Sequence, residues 1–554
     1  MKKLAVLVTV MLILSSIVTG CGTPAPANDT TAAAAATTAA GTTAAASEGE
    51  NINGLVLPIS TTGEEVTIML TQVGEAPDTD MNSTKLPMFE ELEKRTGVKL
   101  NFKASSSDNY GNVLLPLLAS GSNLPDLFVM GGADLVQMGK DGTIIDLKDL
   151  MQQNCPNTMQ LLEKWPLAKY SITSPEGQIW GFPGRIAPYD DNFQGLDLGY
   201  RLDWVQKLGL KEPETLDDWY NMLVAFRDGD PNGNRKKDEV PFAVWSKNQI
   251  YDFALAFGMS PWSSWFTAIN DKIVYDWTSG ETSSKAREYT AMMAKWYKEK
   301  LLDQSMLVEH SDASQAQLVG DQAGAEVTWT GTFAGMTAQM KATYPNAVWQ
   351  VALPPKGPYG DQSYENYPYV NGERWMISKS CKNPATVLKL LDYLFATEEG
   401  QILNDFGIEG KSYEMKDGKP EFIKSFIVED HYKDPNIAVA ALGCGKLPHF
   451  VGEAAETQIY SLSYSPELIQ RMADVKKFVR VMFPFVTATK DESEALKKMT
   501  DLNTTLDEYL FKFVTGSKQI TDATWSEFVG KLKSQGIDEM VKIKQDQYNR
   551  YYQK

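Results

Sequence analysis

The sequence predicts an α/β protein folded as at least two lobes, and three observations predict it. Between residues 65 and 132, short apolar runs alternate with helix-period stretches. The resulting β-α-β-α-β order is that of a mostly parallel sheet covered by helices. About 500 residues follow the N-terminal segments, too many for one hydrophobic core. The chain then continues through further helices and extended runs with no internal repeat.

The N-terminus reads as an export signal. Lys2 and Lys3 precede a charge-free, mostly apolar run from Leu4 to Ile17, then small residues and Cys21. That pattern describes a secretory signal, too short for a good transmembrane helix. In IVTGCG, Thr19 and Gly20 directly before Cys21 resemble a bacterial lipobox. The resemblance implies that residues 1–20 are a lipoprotein signal peptide and that the Cys21 sulfur carries diacylglycerol. Two or more acyl chains on one residue hold a protein stably at a membrane. Residues 21–59 are expected to be a disordered tether, because the Ala/Thr-rich stretch 23–50 has almost no side chain able to build a core. A flexible segment of ~30 residues reaches about 30 Å.

In the folded part, EVTIMLTQ (65–72) reads as a strand and KLPMFEELEKRTG (85–97) as a helix ended by Gly97. VKLNFKAS (98–105), YGNVLLPLLASG (110–121) and PDLFVMGG (125–132) read as strand, helix and strand. IWGFPGRIAP reads as a strand leading into a crossing loop. Thr215 stands three residues before Asp218, a capping-box start with Asp in the Glu/Gln place. Leu216, Trp219, Leu223 and Phe226 then share one helix face. Residues 283–303 read as a helix, 324–335 as a strand and turn, 348–357 as a strand and 374–380 as extended. Asn383 caps a helix over 383–401, with Pro384 in the first turn, where its missing N–H does no harm. From about residue 450 the chain reads as mainly helical.

The formal net charge of −18 describes a body that repels nucleic acid and anionic lipid heads. No long apolar stretch follows the signal, so lipid on Cys21 is the only membrane contact expected. Cys155, Cys381 and Cys444 lack the paired spacing of a zinc or redox site and can form one disulfide at most. His310, His431 and His449 are scattered as well, leaving little for a zinc enzyme or a histidine-based hydrolase.

DGDPNGNRKKDE, residues 228–239, has oxygen-bearing side chains at positions 1, 3, 5, 7 and 12 and glycine at 6, the layout of a calcium loop. In this register Asp228, Asp230 and Asn232 give side-chain oxygens, Asn234 its carbonyl, and Glu239 closes the site. Lys236 then falls at position 9, where its side chain cannot coordinate. A helix enters the loop, but VPFAVW leaves it as an apparent strand. A sensor needs a second helix to swing, so the ion is expected to be a structural clip.

By its motifs taken in order, the chain resembles family 1 extracellular solute-binding proteins of bacterial ABC importers, in their lipoprotein branch. The residues that carry the resemblance are LASGSNLPDLFVM, YRLDWVQKLGLKEPETLDDWYNMLVAFRDGDPNGNRKKDEVPF, NPATVLKLLDYLFATEEGQILNDFGIEG and ATWSEFVGKLKSQGIDEMVKIKQDQYNRYY. The resemblance implies a two-lobed periplasmic-binding-protein-like fold with discontinuous lobes, hinge strands and a mainly helical C-terminal region. It places residues 60–188 and 350–412 in the first lobe, and 189–349 and 413–554 in the second. It also offers a second calcium register, that of the family's calcium-binding members. This one uses Asp230, Asn232, Asn234, the Lys236 carbonyl, Asp238 and Glu239, and leaves Asp228 outside.

The implied function is a monomeric, membrane-anchored receptor facing the outside, which closes over a carbohydrate and delivers it to a permease. Sugar rings pack on aromatic faces while their hydroxyls need polar partners. Candidate ligand residues are Trp262 and Trp265 in MSPWSSWF, Trp329 before a glycine-rich turn, and Arg374 with Trp375 at a strand entry. Arg185, Tyr189 and Asp190 near the first crossover complete the set, and each candidate has a structural alternative in core or ion pair. The rival readings are a receptor for a peptide or other small solute, and a surface polysaccharide-degrading enzyme drawing on Asp190, Asp191 or Glu365.

Overall fold

The computed structural model describes residues 50–72, 80–82, 85–131, 135–186, 196–308, 316–366, 370, 372–429 and 435–552. The signal peptide, Cys21 and the tether up to residue 49 lie outside the described residues, as do Tyr189, Asp190 and Asp191. Within 50–552 the buried apolar side chains fall into two principal cores, each built on its own sheet.

The first core lies against a five-stranded sheet ordered Lys99–Ser105, Glu65–Thr71, Leu127–Gly131, Glu373–Ile377, Phe182–Pro183. The first three strands are parallel, as the β-α-β-α-β order requires, and Glu373–Ile377 returns antiparallel to Leu127–Gly131. The helix Pro87–Thr96 buries Met88, Phe89 and Leu92 and stops at Gly97, whose φ is +70°. A Cβ there would sit 2.0 Å from the Ser60 carbonyl oxygen, so only glycine fits this turn. Residues 383–401 form two helices rather than one, Pro384–Ala396 and Glu398–Phe406. Thr397 divides them: its Oγ1 accepts from the Gly400 N–H at 3.0 Å and so caps the second helix. The expected tether is shorter than its assigned end at residue 59. Glu50–Ile52 pairs antiparallel with Leu55–Leu57, and Leu55 and Leu57 are buried in the first core, because a strand with alternating apolar residues gains more by burial than by hydration.

The second core surrounds a three-stranded antiparallel sheet with Leu196–Arg201 between Ala325–Trp329 and Trp349–Val351. The Thr215 capping box forms as expected. Asp218 N–H donates to Thr215 Oγ1 at 3.1 Å and Thr215 N–H to Asp218 Oδ2 at 2.9 Å. The helix Leu216–Asp228 then buries Leu216, Trp219, Leu223 and Phe226. Residues 324–335 depart from the expected strand and turn: the strand ends at Trp329 and the helix Thr330–Met340 follows, burying Phe333, Met336 and Met340 at helical spacing. VPFAVW is held by two isolated bridges, Val240 to Ala323 and Phe242 to Leu302, rather than as a regular strand.

The cores divide at different points from the expected lobes. Val351, Ala352 and Tyr364 pack in the second core, whereas Ala441, Leu442, Cys444 and Leu447 pack in the first. The divisions expected at 349/350 and 412/413 therefore fall inside packed regions. The chain passes from one core to the other between Ile186 and Leu196, between Tyr364 and Val370, and between Leu447 and Tyr464. Alongside, Tyr364–Asn366 pairs parallel with Val479–Val481, a strand inside the expected helical tail. Cys155, Cys381 and Cys444 are all free thiols.

Candidate functional site

A cavity of about 440 Å³ opens between the five-stranded sheet, on the face that carries Met130 and Leu135, and elements of the second core. Met130 and Arg374 come from neighbouring strands of the five-stranded sheet, with Leu135 beside them. Trp262, Ser263 and Ser264 form a second wall. The third is supplied by the extended run Phe483–Ala488 and by Ser493, Lys497, Thr500, Lys544 and Gln547.

The Trp262 wall is a short loop held from behind. Glu365, buried on a crossing strand, accepts from Trp262 N–H at 3.1 Å through Oε2 and from Ser263 Oγ at 3.2 Å through Oε1. Ser263 Oγ in turn accepts from Phe483 N–H at 2.8 Å, tying the second wall to the third. Arg480 reaches Glu365 at 3.6 Å and donates to the Met259 carbonyl. Trp262 Nε1 donates to Asp252 Oδ1 at 3.3 Å. Burial pushes the Glu365 carboxyl above its usual range, while Arg480 and the donated hydrogen bonds oppose the shift. Burial raises Asp252 likewise. Burial drives two of the cavity cations the other way: Arg374 falls to about 10 and Lys544 to about 8, with Glu373 and Glu492 respectively opposing.

Trp262 and Arg374 are the ligand candidates that line this cavity. Trp265 packs in the second core against Tyr251 and Trp277, both at 4.9 Å, and Trp375 fills the first core; neither lines the cavity. Trp329 also lies outside the lining, but the residue is 43% exposed at the end of its strand. Arg185 pairs with Glu456 at 3.2 Å. Sequence reasoning missed the third wall. Its signal was MFPFVTATK, where Pro484 between two phenylalanines disfavours helix.

In the calcium loop Asp228 is taken by its neighbour: Arg227 Nη2 and Nε donate to its two oxygens at 2.7 and 2.8 Å. Asp230 and Gly233 make the turn with φ of +47° and +75°. Glu239 Oε1 is buried with no hydrogen-bond partner. Burial raises this carboxyl, and so do the Asp238 and Asp230 charges, which lie close enough to repel it. An orphaned carboxylate oxygen facing two further carboxylates is an environment that a divalent cation relieves. Among the described residues no three Asp, Glu, His or Cys side chains form a metal cluster by themselves, and the loop set includes two asparagines and a carbonyl.

Comparison with known proteins places the chain. Residues 76–401 match the family described as bacterial extracellular solute-binding protein. The chain belongs to that family. A second family model, a domain of unknown function, matches residues 486–553. This solute-binding protein is 25% identical over 539 residues to the fructooligosaccharide ABC transporter substrate-binding protein FusA of Streptococcus pneumoniae, covering 91% of this chain and 94% of FusA. It is 25% identical over 502 residues to lipoprotein LipO of Bacillus subtilis, covering 87% and 90%. Among solved structures it superposes with a TM-score of 0.73 on the alginate-binding protein AlgQ2 crystallised without calcium ion, at 24% identity, over 89% of this chain and 99% of that one. The neighbours are two-lobed, and the α/β architecture here is theirs. No helix among the described residues is long and apolar enough to cross a membrane.

Proposed function

We propose that this solute-binding protein is a lipid-anchored receptor that captures an oligosaccharide between its lobes and delivers it to an ABC permease. The observation that carries the reading is the cavity. Trp262 offers a ring, serine, threonine and glutamine side chains offer hydroxyl and amide partners, and the walls come from the five-stranded sheet and from the second core. The lobes follow the cores: residues 50–186 with 370–447, and 196–366 with 464–552. A ligand touching both favours the closed arrangement, so its binding energy goes into shape. Relatives that carry oligosaccharides for importers support this reading. Trp329 serves as a further ring platform at the cleft edge, with Arg185, Tyr189 and Asp190 at the first crossover. Diacylglycerol on Cys21 holds the protein at the outer face of the cell membrane.

No bond of the ligand breaks. Glu365, the carboxylate an acid–base mechanism would draw on, is consumed in holding the cavity wall. Calcium is held in the second register, by Asp230, Asn232, Asn234, the Lys236 carbonyl, Asp238 and Glu239, while Arg227 occupies Asp228. The ion supplies charge neutralisation for these carboxylates and ties the loop together.

The test is calorimetric titration of the mature chain with a panel of neutral and acidic oligosaccharides, together with product analysis and solution scattering. One-to-one binding, intact glycan and a smaller radius of gyration are expected. Shortened glycan, or a panel in which no saccharide binds or changes the scattering, overturns the reading.

A further inference from the structure

We propose that the C-terminal segment 486–553, matched by a domain of unknown function, builds an acid-accepting subsite in the cavity, and that the ligand is an oligosaccharide bearing uronic-acid-type carboxylates. This rests on the cavity being the carbohydrate site.

The first ground is charge. The chain holds 71 Asp and Glu against 53 Lys and Arg, so a cavity lined at random would be acidic. The charged side chains lining it among the described residues are Arg374, Lys497 and Lys544, with no Asp or Glu. Lys497 is exposed and pairs with Glu494 at 2.7 Å, whereas burial acts on Arg374 and Lys544, and a cation held at a cavity wall is costly unless an opposite charge meets it. A neutral sugar needs no such arrangement, whereas a carboxylate does.

The second ground is the terminal helix Ile537–Tyr552. Lys544 and Gln547, three residues apart, share one of its faces, and both line the cavity. Gln547 is 2% exposed and its Oε1 has no hydrogen-bond partner, an acceptor left over for a ligand hydroxyl. The Lys544 ammonium lies 4.8 Å from the Phe483 ring centre and 5.9 Å from that of Phe266, and makes no ion pair among the described residues. Its nearest carboxylate influence, Glu492, is already engaged by Arg550 at 2.7 Å. The helix is fixed along an adjoining face, so the pair is set before any ligand arrives. Gln545 accepts from Ile273 N–H at 2.7 Å and donates to the Asp271 carbonyl at 2.9 Å, and Tyr548 donates to Asp271 at 3.0 Å. A sugar acid meets this site with its carboxylate at Lys544, a hydroxyl at Gln547 and its ring against Trp262.

The experiment titrates the full mature chain with galacturonate, mannuronate and guluronate oligomers, with their carboxyl-reduced neutral counterparts, and with neutral fructans and glucans. At least one acidic oligomer should bind about tenfold to a hundredfold more tightly than its reduced form. Lys544→Gln should erase that preference while Lys544→Arg keeps it. Gln547→Leu should weaken acidic and reduced forms alike and leave the preference. Thermal midpoints identify any variant that fails to fold, and the acidic-to-reduced ratio in the wild-type chain decides independently of all variants. Binding of neutral oligomers alone, equal binding of acidic and reduced forms, or a preference that survives Lys544→Gln overturns the acidic subsite and leaves the carbohydrate reading standing. A chain that binds no saccharide of either kind overturns both.

Discussion

Replacing Glu365 by alanine tests whether the cavity wall is held from the crossing strand. The carboxylate accepts from Trp262 N–H at 3.1 Å and Ser263 Oγ at 3.2 Å, and sits 3.6 Å from Arg480. Hydrogen bonds to a charged acceptor contribute about 1.5–3 kcal/mol each, and removing one partner of a buried ion pair costs about 3–5 kcal/mol. These effects overlap. Arg480 keeps 31% of its side-chain surface exposed and can turn partly to water, which lowers its share. The cost of Glu365→Ala is therefore expected at about 3–4 kcal/mol. Glu365→Gln keeps the shape and one acceptor, and should cost about 1–2 kcal/mol. Denaturant unfolding followed by tryptophan fluorescence reads both, since the second core holds the large indoles Trp204, Trp219, Trp277 and Trp296. Because the loosened loop carries Trp262, affinity for a bound oligosaccharide should fall as well, by about tenfold. An alanine variant within about 1 kcal/mol of wild type and with unchanged affinity would refute the latch.

Excess chelator should lower the thermal midpoint by several degrees, with calcium restoring it and magnesium doing so poorly; an unchanged midpoint removes the structural ion. Asp230→Ala should reproduce the chelated state, whereas Asp228→Ala should not, since Arg227 already holds Asp228. Burial lifts Asp197 and Asp276 to about 7 and Glu326 to about 8. The folded chain thus binds more protons than the unfolded chain above pH ~4, and stability should decline from there to about pH 8. A thermal midpoint that is flat or rises from pH 5.5 to 8 would contradict that sign. Alanine at Trp262 or at the exposed Trp329 should weaken sugar binding without unfolding the chain, as titration and circular dichroism together would show; wild-type affinity in both removes the ring platforms.

Where a local rule decided structure, the sequence was legible. The parallel order of the first three strands, the stop at Gly97 and the Thr215 capping box follow from patterns a few residues long. The candidate calcium loop was marked out in the same way. The proposed register draws on a contact the spacing does not announce, the Arg227 side chain folding back on Asp228. The lobe limits escaped for a different reason. Leu442 and Val351 join cores assembled from distant segments, and nothing in their neighbours announces which core receives them. Trp265 and Trp262 show the same limit at close range. Three residues apart in one Ser/Pro-rich stretch, one is sealed against Trp277 and the other faces the cavity, separated by a loop with positive φ at Ser264 and Trp265.

Net charge illustrates why composition foretells partners at long range but not at contact. At physiological salt the field of a surface carboxylate fades over about 8 Å, and most of the acidic excess is solvated. It governs encounters with polyanions such as nucleic acid, which meet many surface charges at once. A small ligand inside a cavity responds instead to the few groups that share its low-dielectric surroundings, where each charge acts more strongly. Here those groups are Arg374 and Lys544. An acidic protein can therefore hold an acidic ligand, and the apparent conflict between the formal charge of −18 and a cationic cavity disappears once distance and burial are counted. The same reasoning sets the salt dependence. Added salt should speed the approach of an acidic oligosaccharide to this negatively charged body by screening repulsion, while weakening less the contact made once Lys544 is enclosed. Stopped-flow association rates that fall with salt would place the controlling charges in the cavity mouth rather than on the outer surface.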